Sequence, residues 1–447
     1  MGQNRTYLCI DLKSFYASVE CADRGLDPFT ANLVVADPER TKTTICLAIT
    51  PAMKALGVKN RCRVFEIPEG IDYVMAKPRM RRYMEVSADI YSIYLKYVSA
   101  QDVHAYSIDE CFIDATPYLE LYRTTPYEFA RTLMQAVADE TKICATAGIG
   151  PNLFLAKVAL DITAKHAPDN IGWLDEESFR RDIWFHQPIT DIWGIGPGIA
   201  RRLAAHGAHD LAGTAALNPN ILYREFGKNA EFLIDHAWGQ EPCTIADIHA
   251  YTPTGRSIAN GQVLPCDYSF EEARMVLREM VDSSVLDLVE HGLACERISL
   301  DVGYARSALS PRDADGFTGA IFDGGHGKRR IGVSKFEGHT GANRKLDRCT
   351  NSQRYLMQRF CDLFDETTRR DIPVRRLSIC LADLKSEAFA TNTLFDDIEA
   401  DKKERSLQKA VVAVRGKFGK NALLKASSLQ DKATARERNN QVGGHHA

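Results

Sequence analysis

Ala105-Tyr106-Ser107-Ile108-Asp109-Glu110-Cys111-Phe112-Ile113-Asp114 sets two adjacent acids in a turn between two apolar runs, and Leu8-Cys9-Ile10-Asp11 ends another such run on an acid. β-Branched and aromatic residues predict strands over 103–106 and 111–115, so Asp109 and Glu110 are expected to meet Asp11 at the edge of one sheet. Carboxylates this close repel unless protonated or metal-bound. Hard oxygen ligands suit Mg2+, which keeps part of its water and completes its shell from phosphate oxygens. Taken alone, an Asp-Glu pair after a strand is most often a solvated turn, so the rest of the chain decides.

At 447 residues the chain is long enough for three or four domains, and with 45% hydrophobic residues it can bury a sizeable core. No run of about 18 apolar residues appears, and 1–20 do not read as a charged-then-apolar leader. The expectation is a cytoplasmic protein with no membrane span. Twelve cysteines are scattered from Cys9 to Cys380 without a Cys-x-x-Cys pair, so they read as reduced residues rather than a zinc site. The net charge of -3 hides an uneven distribution: 1–324 sum to -13, 325–376 to +7, 377–400 to -4 and 401–447 to +7. Positive segments of this kind can hold a polyanion while an acidic region elsewhere collects cations.

Along the chain, a strand over 6–10 leads to Asp11 and to a helix with Ser14 as N-cap, which carries Phe15 and Tyr16 within two turns of the acid. An aromatic ring there is either plain core or a steric barrier to a ribose 2'-hydroxyl. Strands over 32–36 and 43–49 precede a short helix from Pro51, stopped at Gly57, on which Lys54 is a phosphate partner or a solvated lysine. Tyr83, Val86, Ile90, Ile93, Tyr94 and Tyr97 recur at helical spacing as core. A helix near 126–141, a strand over 143–148 and a helix over 153–165 complete a small mixed sheet with helices on one face, an α+β palm. Lys157 follows Gly148-Ile149-Gly150 closely enough to return to the sheet edge as a phosphate partner.

Trp193-Gly194-Ile195-Gly196-Pro197-Gly198, with Arg201 and Arg202 on the next turn, reads as a helix-hairpin-helix whose backbone N–H groups hold a DNA phosphate without reading sequence. A linker near 249–253 opens a second α+β domain. Its strands are expected over 255–263, 297–305, 316–322, 329–335 and 374–382, and its helices over 269–290 and 351–367. Lys328, Arg329, Arg330, Lys335, Arg344 and Lys345 form its basic block, suited to a duplex backbone. Beyond 383 the chain turns polar: Leu394 and Phe395 stand in an acidic linker as a docking peptide, 402–424 reads as a basic amphipathic helix, and the end with His445 and His446 as mobile.

Taken together, Asp11 with Ser14-Phe15-Tyr16-Ala17-Ser18-Val19-Glu20, Tyr106-Ser107-Ile108-Asp109-Glu110, Gly148-Ile149-Gly150-Pro151-Asn152 with Ala156-Lys157, and Trp193-Gly194-Ile195-Gly196-Pro197 resemble the Y-family translesion DNA polymerases of the bacterial DinB/UmuC-like kind. The motifs cover residues 5 to about 205 in order, and the later domain matches the family's little finger by pattern only. The resemblance implies an α+β right-hand polymerase with a ferredoxin-like palm (1–14 and 84–165), small fingers (15–83), a helical helix-hairpin-helix thumb (166–248), an α+β little finger (253–384) and a flexible tail (385–447). It implies that Asp11, Asp109 and Glu110, with the Leu12 carbonyl, hold two Mg2+ ions for transfer from a dNTP to a primer 3'-hydroxyl. Tyr16 would be the sugar steric gate, and Lys54 and Lys157 the triphosphate contacts.

Primer-template DNA, dNTPs and a sliding clamp, bound through Leu394 and Phe395, are the implied partners of a monomer working at the nucleoid. The chain departs from the family in having Pro51 and Lys54 where many relatives carry Tyr and Arg, and in lacking the leading Gln of the clamp peptide. Lys gives a point charge without a bidentate fork. No second acidic cluster suggests an exonuclease, so low fidelity without proofreading is expected. A catalytically inactive DNA-binding accessory protein of repair is disfavoured by retention of all three acids. A nucleotide cyclase is disfavoured by the hairpin and the basic second domain.

Overall fold

The computed structural model describes residues 5–39, 41–253, 255–309, 338–391 and 397–446. Contacts divide the chain into two units, 1–251 with the last three residues, and 252–444.

In the first unit β1 (Tyr7–Leu12) is the middle strand of a five-stranded sheet, and α1 (Phe15–Asp23) follows it directly. The small inserted sheet β2 (Leu33–Val35), β3 (Ala48–Ile49) and β4 (Val74–Ala76) has its own core around Val34, Ile49, Met53 and Val64, and carries the short helix α2 (Pro51–Ala55). The strand expected over 43–49 is paired only at its end, because Ile45 makes a lone bridge to Arg63. Helix α3 (Met80–Tyr94) buries the predicted stripe, with Tyr83, Val86, Ile90, Ile93 and Tyr94 all inside. Then come β5 (Val103–Ala105), β6 (Glu110–Asp114), α4 (Pro126–Thr141), β7 (Ala145–Gly150), α5 (Leu153–Val158) and β8 (Ile171–Trp173). A Thr125–Glu128 capping box starts α4. The sheet order is β5-β6-β1-β7-β8, and its first four strands with α3 and α4 give the β-α-β-β-α-β pattern of a ferredoxin-like palm.

Helices cover both faces of this sheet, not one. On one side Leu8, Ile10 and Leu12 of β1 pack with α3 and α4; on the other Tyr7, Cys9 and Phe112 pack against Leu153 and Ala156 of α5. The near-continuous burial of β1 is the reason: a strand apolar on both sides must be covered on both. Helix α5 also faces the helical region that follows, where Phe154, Leu155 and Val158 join Phe179, Ile192, Leu203 and Leu233 in a further core. It does not continue regularly to 165, since residues Ala159–Thr163 form a π-helical turn and Ala164–His166 a 3-10 turn. Helix α6 (Pro197–Ala204) follows the glycine hairpin, but its expected partner helix is only the 3-10 turn Ile189–Asp191.

The second unit holds a five-stranded antiparallel sheet: β9 (Ser257–Tyr268), β10 (Leu293–Tyr304), β11 (His339–Thr350) and β12 (Val374–Ala382) run in the order β11-β10-β12-β9, and the short strand Lys385–Ser386 pairs with the start of β10. Helices α7 (Phe270–Glu290) and α8 (Gln353–Thr367) cover one face around Val276, Met280, Phe360 and Leu377. The strands expected over 316–322 and 329–335 lie outside the described residues.

The segment expected to be a flexible tail is packed onto this unit. Helix α9 (Ile398–Phe418) buries Gln408, and its Glu404 accepts from the backbone N–H groups of Gln353 and Arg354 at the open N-terminus of α8. Farther on, Thr434 N and Ala435 N donate to the buried Glu279 Oε2 at 2.8 and 3.1 Å, and Lys425 pairs with Asp282 at 2.7 Å. Polarity suggested mobility; the partners on α7 and α8, remote in sequence, account for the order.

Candidate active site

Strand pairing does what the opening motif required. Asp11 of β1 stands opposite Glu110 of β6, and Leu12 N donates to the Asp109 carbonyl at 2.9 Å. Directly opposed residues project to the same side of an antiparallel pair, so Asp11 and Glu110 share the face covered by α5. That helix comes close because β7 presents glycine: a Cβ on Gly148 would lie 2.1 Å from the Ala156 carbonyl oxygen and 2.2 Å from Leu160 N. The close approach delivers Lys157 to the acids. Its Nζ lies 2.5 Å from Glu110 Oε1 and 2.9 Å from Asp161 Oδ1, with the Lys157 side chain 8% exposed.

The acids are adjacent by backbone without being drawn into one cage. Among the described residues no three His, Cys, Asp or Glu side chains yet form a metal-holding group. The side chains have other partners here: Asp109 accepts from Ser107 Oγ at 2.7 Å and Glu110 is held by Lys157. Crowding shows in Asp11, whose pKa is pushed up to about 7 by burial and then by Asp109 and Glu110, against the pull of Lys157. Burial works against the charge of Lys157, yet Asp161 and Glu110 outweigh it and hold its pKa above the ordinary value.

Tyr16 lies beside this group. Burial and the Asp109 charge raise its phenol pKa, and its ring stacks on Tyr83 with centroids 4.4 Å apart and planes 15° apart. The Tyr83 hydroxyl donates to Glu20 Oε1 at 2.8 Å, and the fully buried Glu20 is balanced by Arg79 at 2.9 Å and by Arg24. Ser14 holds the N-cap position of α1 but does not cap. Its backbone is left-handed, with φ of 49°, and its buried hydroxyl has no partner among the described residues. Lys54 is near Asp11: burial lowers its pKa, Asp11 raises it, and Lys13 and Lys165 lower it further. Sequence reasoning missed Lys13, Lys165, Asp161, Tyr83 and Glu20. The i, i+4 spacing from Lys157 to Asp161 was the available signal.

Away from the acids, Gly194 takes φ of 84°, which only glycine adopts freely, and Gly196 caps α6 without a side-chain bond, leaving first-turn amides open. Arg201 and Arg202 are both exposed, and Arg202 stacks 4.1 Å over Phe226 and lies 3.6 Å from Glu225. In the second unit Lys345 and Arg344 are separated by strand alternation. Arg344 sits opposite the core residue Ile298 on the helix-covered face and pairs with Glu366; Lys345 sits opposite Arg297 on the other face, level with Ser299, Asn343 and Arg376. Grouping Arg344 with Lys345 as one contact surface is therefore corrected. Lys328, Arg329, Arg330, Leu394 and Phe395 lie outside the described residues.

Acids adjacent at the end of a sheet, faced by a compensated lysine and an aromatic ring, are groups that can take a cation and an anionic substrate. Residues 10–161 match the impB/mucB/samB family and residues 256–394 its C-terminal domain. DNA polymerase IV 2 of Bacillus subtilis is 30% identical over 456 residues, covering 100% of both chains. UvrX of the same organism, named for UV-damage repair, is 29% identical over 444 residues, covering 99% of this chain and 97% of its own. The Y-family DNA polymerase chimera Dbh-Dpo4(243-245)-Dbh superposes with a TM-score of 0.58 at 21% identity, covering 85% of this chain and 98% of its own, a likeness in fold. The chain belongs to the impB/mucB/samB family of Y-family polymerases. It is a DNA-directed DNA polymerase of the translesion class.

Proposed function

We propose that Asp11, Asp109 and Glu110, with the Leu12 carbonyl, are the ligands of two Mg2+ ions in template-directed transfer of a deoxynucleotide to a primer 3'-hydroxyl. The donor set fits the ions: three carboxylates and a carbonyl are hard oxygen ligands, and a divalent cation offsets both the burial and the carboxylate repulsion that raise the Asp11 pKa. When bound, the ions activate the primer hydroxyl and neutralise charge on the triphosphate and the leaving pyrophosphate.

The protein's own groups do the positioning. Lys157, Lys54 and the first-turn amides of α1, beside a Ser14 hydroxyl without a partner among the described residues, supply cations and donors for the triphosphate. Tyr16, braced by Tyr83 and within reach of the Asp109 charge, is the proposed gate against a ribose 2'-hydroxyl. The thumb amides after Gly194 and Gly196, with Arg201, and the open sheet face with Lys345 take the DNA backbone. Arg202 and the basic residues Lys328, Arg329 and Arg330 add positive charge for the same polyanion. The acidic linker with Leu394 and Phe395 is proposed as a sliding-clamp peptide of a monomeric enzyme working in the cytoplasm at the nucleoid. No helix among the described residues is long and apolar enough to cross a membrane.

The observation that carries this reading is the Asp11–Glu110 pairing with Asp109 bonded across to Leu12. Primer extension with Mg2+ and dNTPs tests it: Asp109→Ala or Glu110→Ala is expected to lose about a thousandfold or more in rate. Extension at the wild-type rate by either variant would reject the assignment.

A further inference from the structure

Lys157 is shared. Glu110 Oε1 lies 2.5 Å from its ammonium on one side and Asp161 Oδ1 2.9 Å on the other, and the same Glu110 oxygen accepts weakly from Cys9 Sγ at 3.4 Å. Asp161 plays no part in the pairing of β1 with β6 and is not one of the proposed metal ligands. We propose that Asp161 is a positioning residue of the polymerase site: it retains Lys157 when Glu110 turns from the lysine to a divalent ion, leaving the lysine free to meet an anionic substrate. The proposal rests on the reading of Asp11, Asp109 and Glu110 as metal ligands.

The argument is one of compensation. An ammonium this buried cannot lose its counter-charge without a large desolvation penalty. With Glu110 as sole partner, Lys157 would compete with any cation for that carboxylate, and a bound ion would strand the lysine. A second carboxylate removes the conflict. Asp161 is well placed to serve as that second partner, because it lies in the π-helical turn that follows α5, with its side chain 28% exposed at the rim, while Lys157 points down to the sheet. π-Turns inserted into α-helices recur at functional sites.

The test is Mn2+ binding to the full-length protein, read from the free-ion EPR signal without DNA or nucleotide. Asp161→Asn is expected to weaken Mn2+ binding by about five- to tenfold, because Lys157 then holds only to Glu110, and Asp161→Glu to recover most of the loss. In a Lys157→Met background the same Asp161→Asn change is expected to alter binding by no more than about twofold, as a double-mutant cycle for residues acting through one another requires. An equal loss in both backgrounds means that Asp161 acts only through its field on the ion, and overturns the proposal. So does an unchanged affinity in Asp161→Asn. Should Asp161→Asn fail to give the wild-type circular dichroism spectrum, Asp161→Ser is carried through the same cycle under the same criteria. Asp109→Ala serves as the separate control: Mn2+ binding that survives it overturns the metal reading itself, whatever Asp161 does.

Discussion

At the scale of single residues, Asp11 is costly to the metal-free protein. Its folded pKa of about 7 exceeds the ordinary aspartate value, so the folded state binds more protons than the unfolded chain between about pH 4 and 7. Stability is therefore greatest below about pH 4 on this account and declines as pH rises through 7. Asp11→Asn removes the decline. In EDTA the variant is expected to gain on the order of 2 to 4 kcal/mol over the wild type at pH 8 and close to nothing at pH 4, measured by urea unfolding of the first unit. A difference independent of pH would refute this origin. Tyr16→Ala is expected to lower discrimination between dNTPs and rNTPs by roughly a hundredfold, in single-nucleotide insertion kinetics, with less effect on dNTP insertion itself. Unchanged sugar selection would remove Tyr16 from the gate. The three acids and Tyr16 were legible because each stands at a fixed place beside a strand. The bracing of Tyr16 by Tyr83 and Glu20 was not, since the Tyr83–Glu20 bond joins residues 63 positions apart and the Tyr16–Tyr83 stack lies farther apart still in sequence.

At the scale of elements, β7 and α5 act as one part. The bare backbone of Gly148 lets the helix carrying Lys157 lie against the strand beside β1, and the clash a methyl group would meet is with backbone, which cannot rotate away. Gly148→Ala is expected to cost at least about 3 kcal/mol and to reduce nucleotide affinity through a displaced Lys157, read from the melting temperature and from KM for dNTP. A variant that melts like the wild type would show the approach to be less tight than the structure has it. Helical and strand periodicity identified α3, α7, α8 and the main strands from sequence. It did not show the break of α5 into a π-turn, nor the covering of both faces of the palm sheet, because both depend on what packs from outside the element.

At the scale of the whole molecule, contacts divide the chain into two units, and three of its hydrophobic cores, around Leu8, Val34 and Phe154, fall within the first. Residues 397–444 belong to the second. Deleting 397–447 is expected to destabilise that unit by several kcal/mol, because it uncaps α8 and strips the backbone donors from buried Glu279; a mobile tail would leave it unchanged. Amide hydrogen exchange along α7 in the truncated protein is the measurement, and wild-type protection there would refute the docking. From sequence alone came the family, the nearness of Asp11 to Asp109 and Glu110, and the apolar faces, because alternation, helical spacing and turn residues are local properties of the chain. Only tertiary structure decided that Lys157 is shared between Glu110 and Asp161, that Arg344 turns away from Lys345, and that the polar C-terminal segment is ordered. Each of these depends on a partner brought near by folding, and a linear sequence does not say which of its charges will meet.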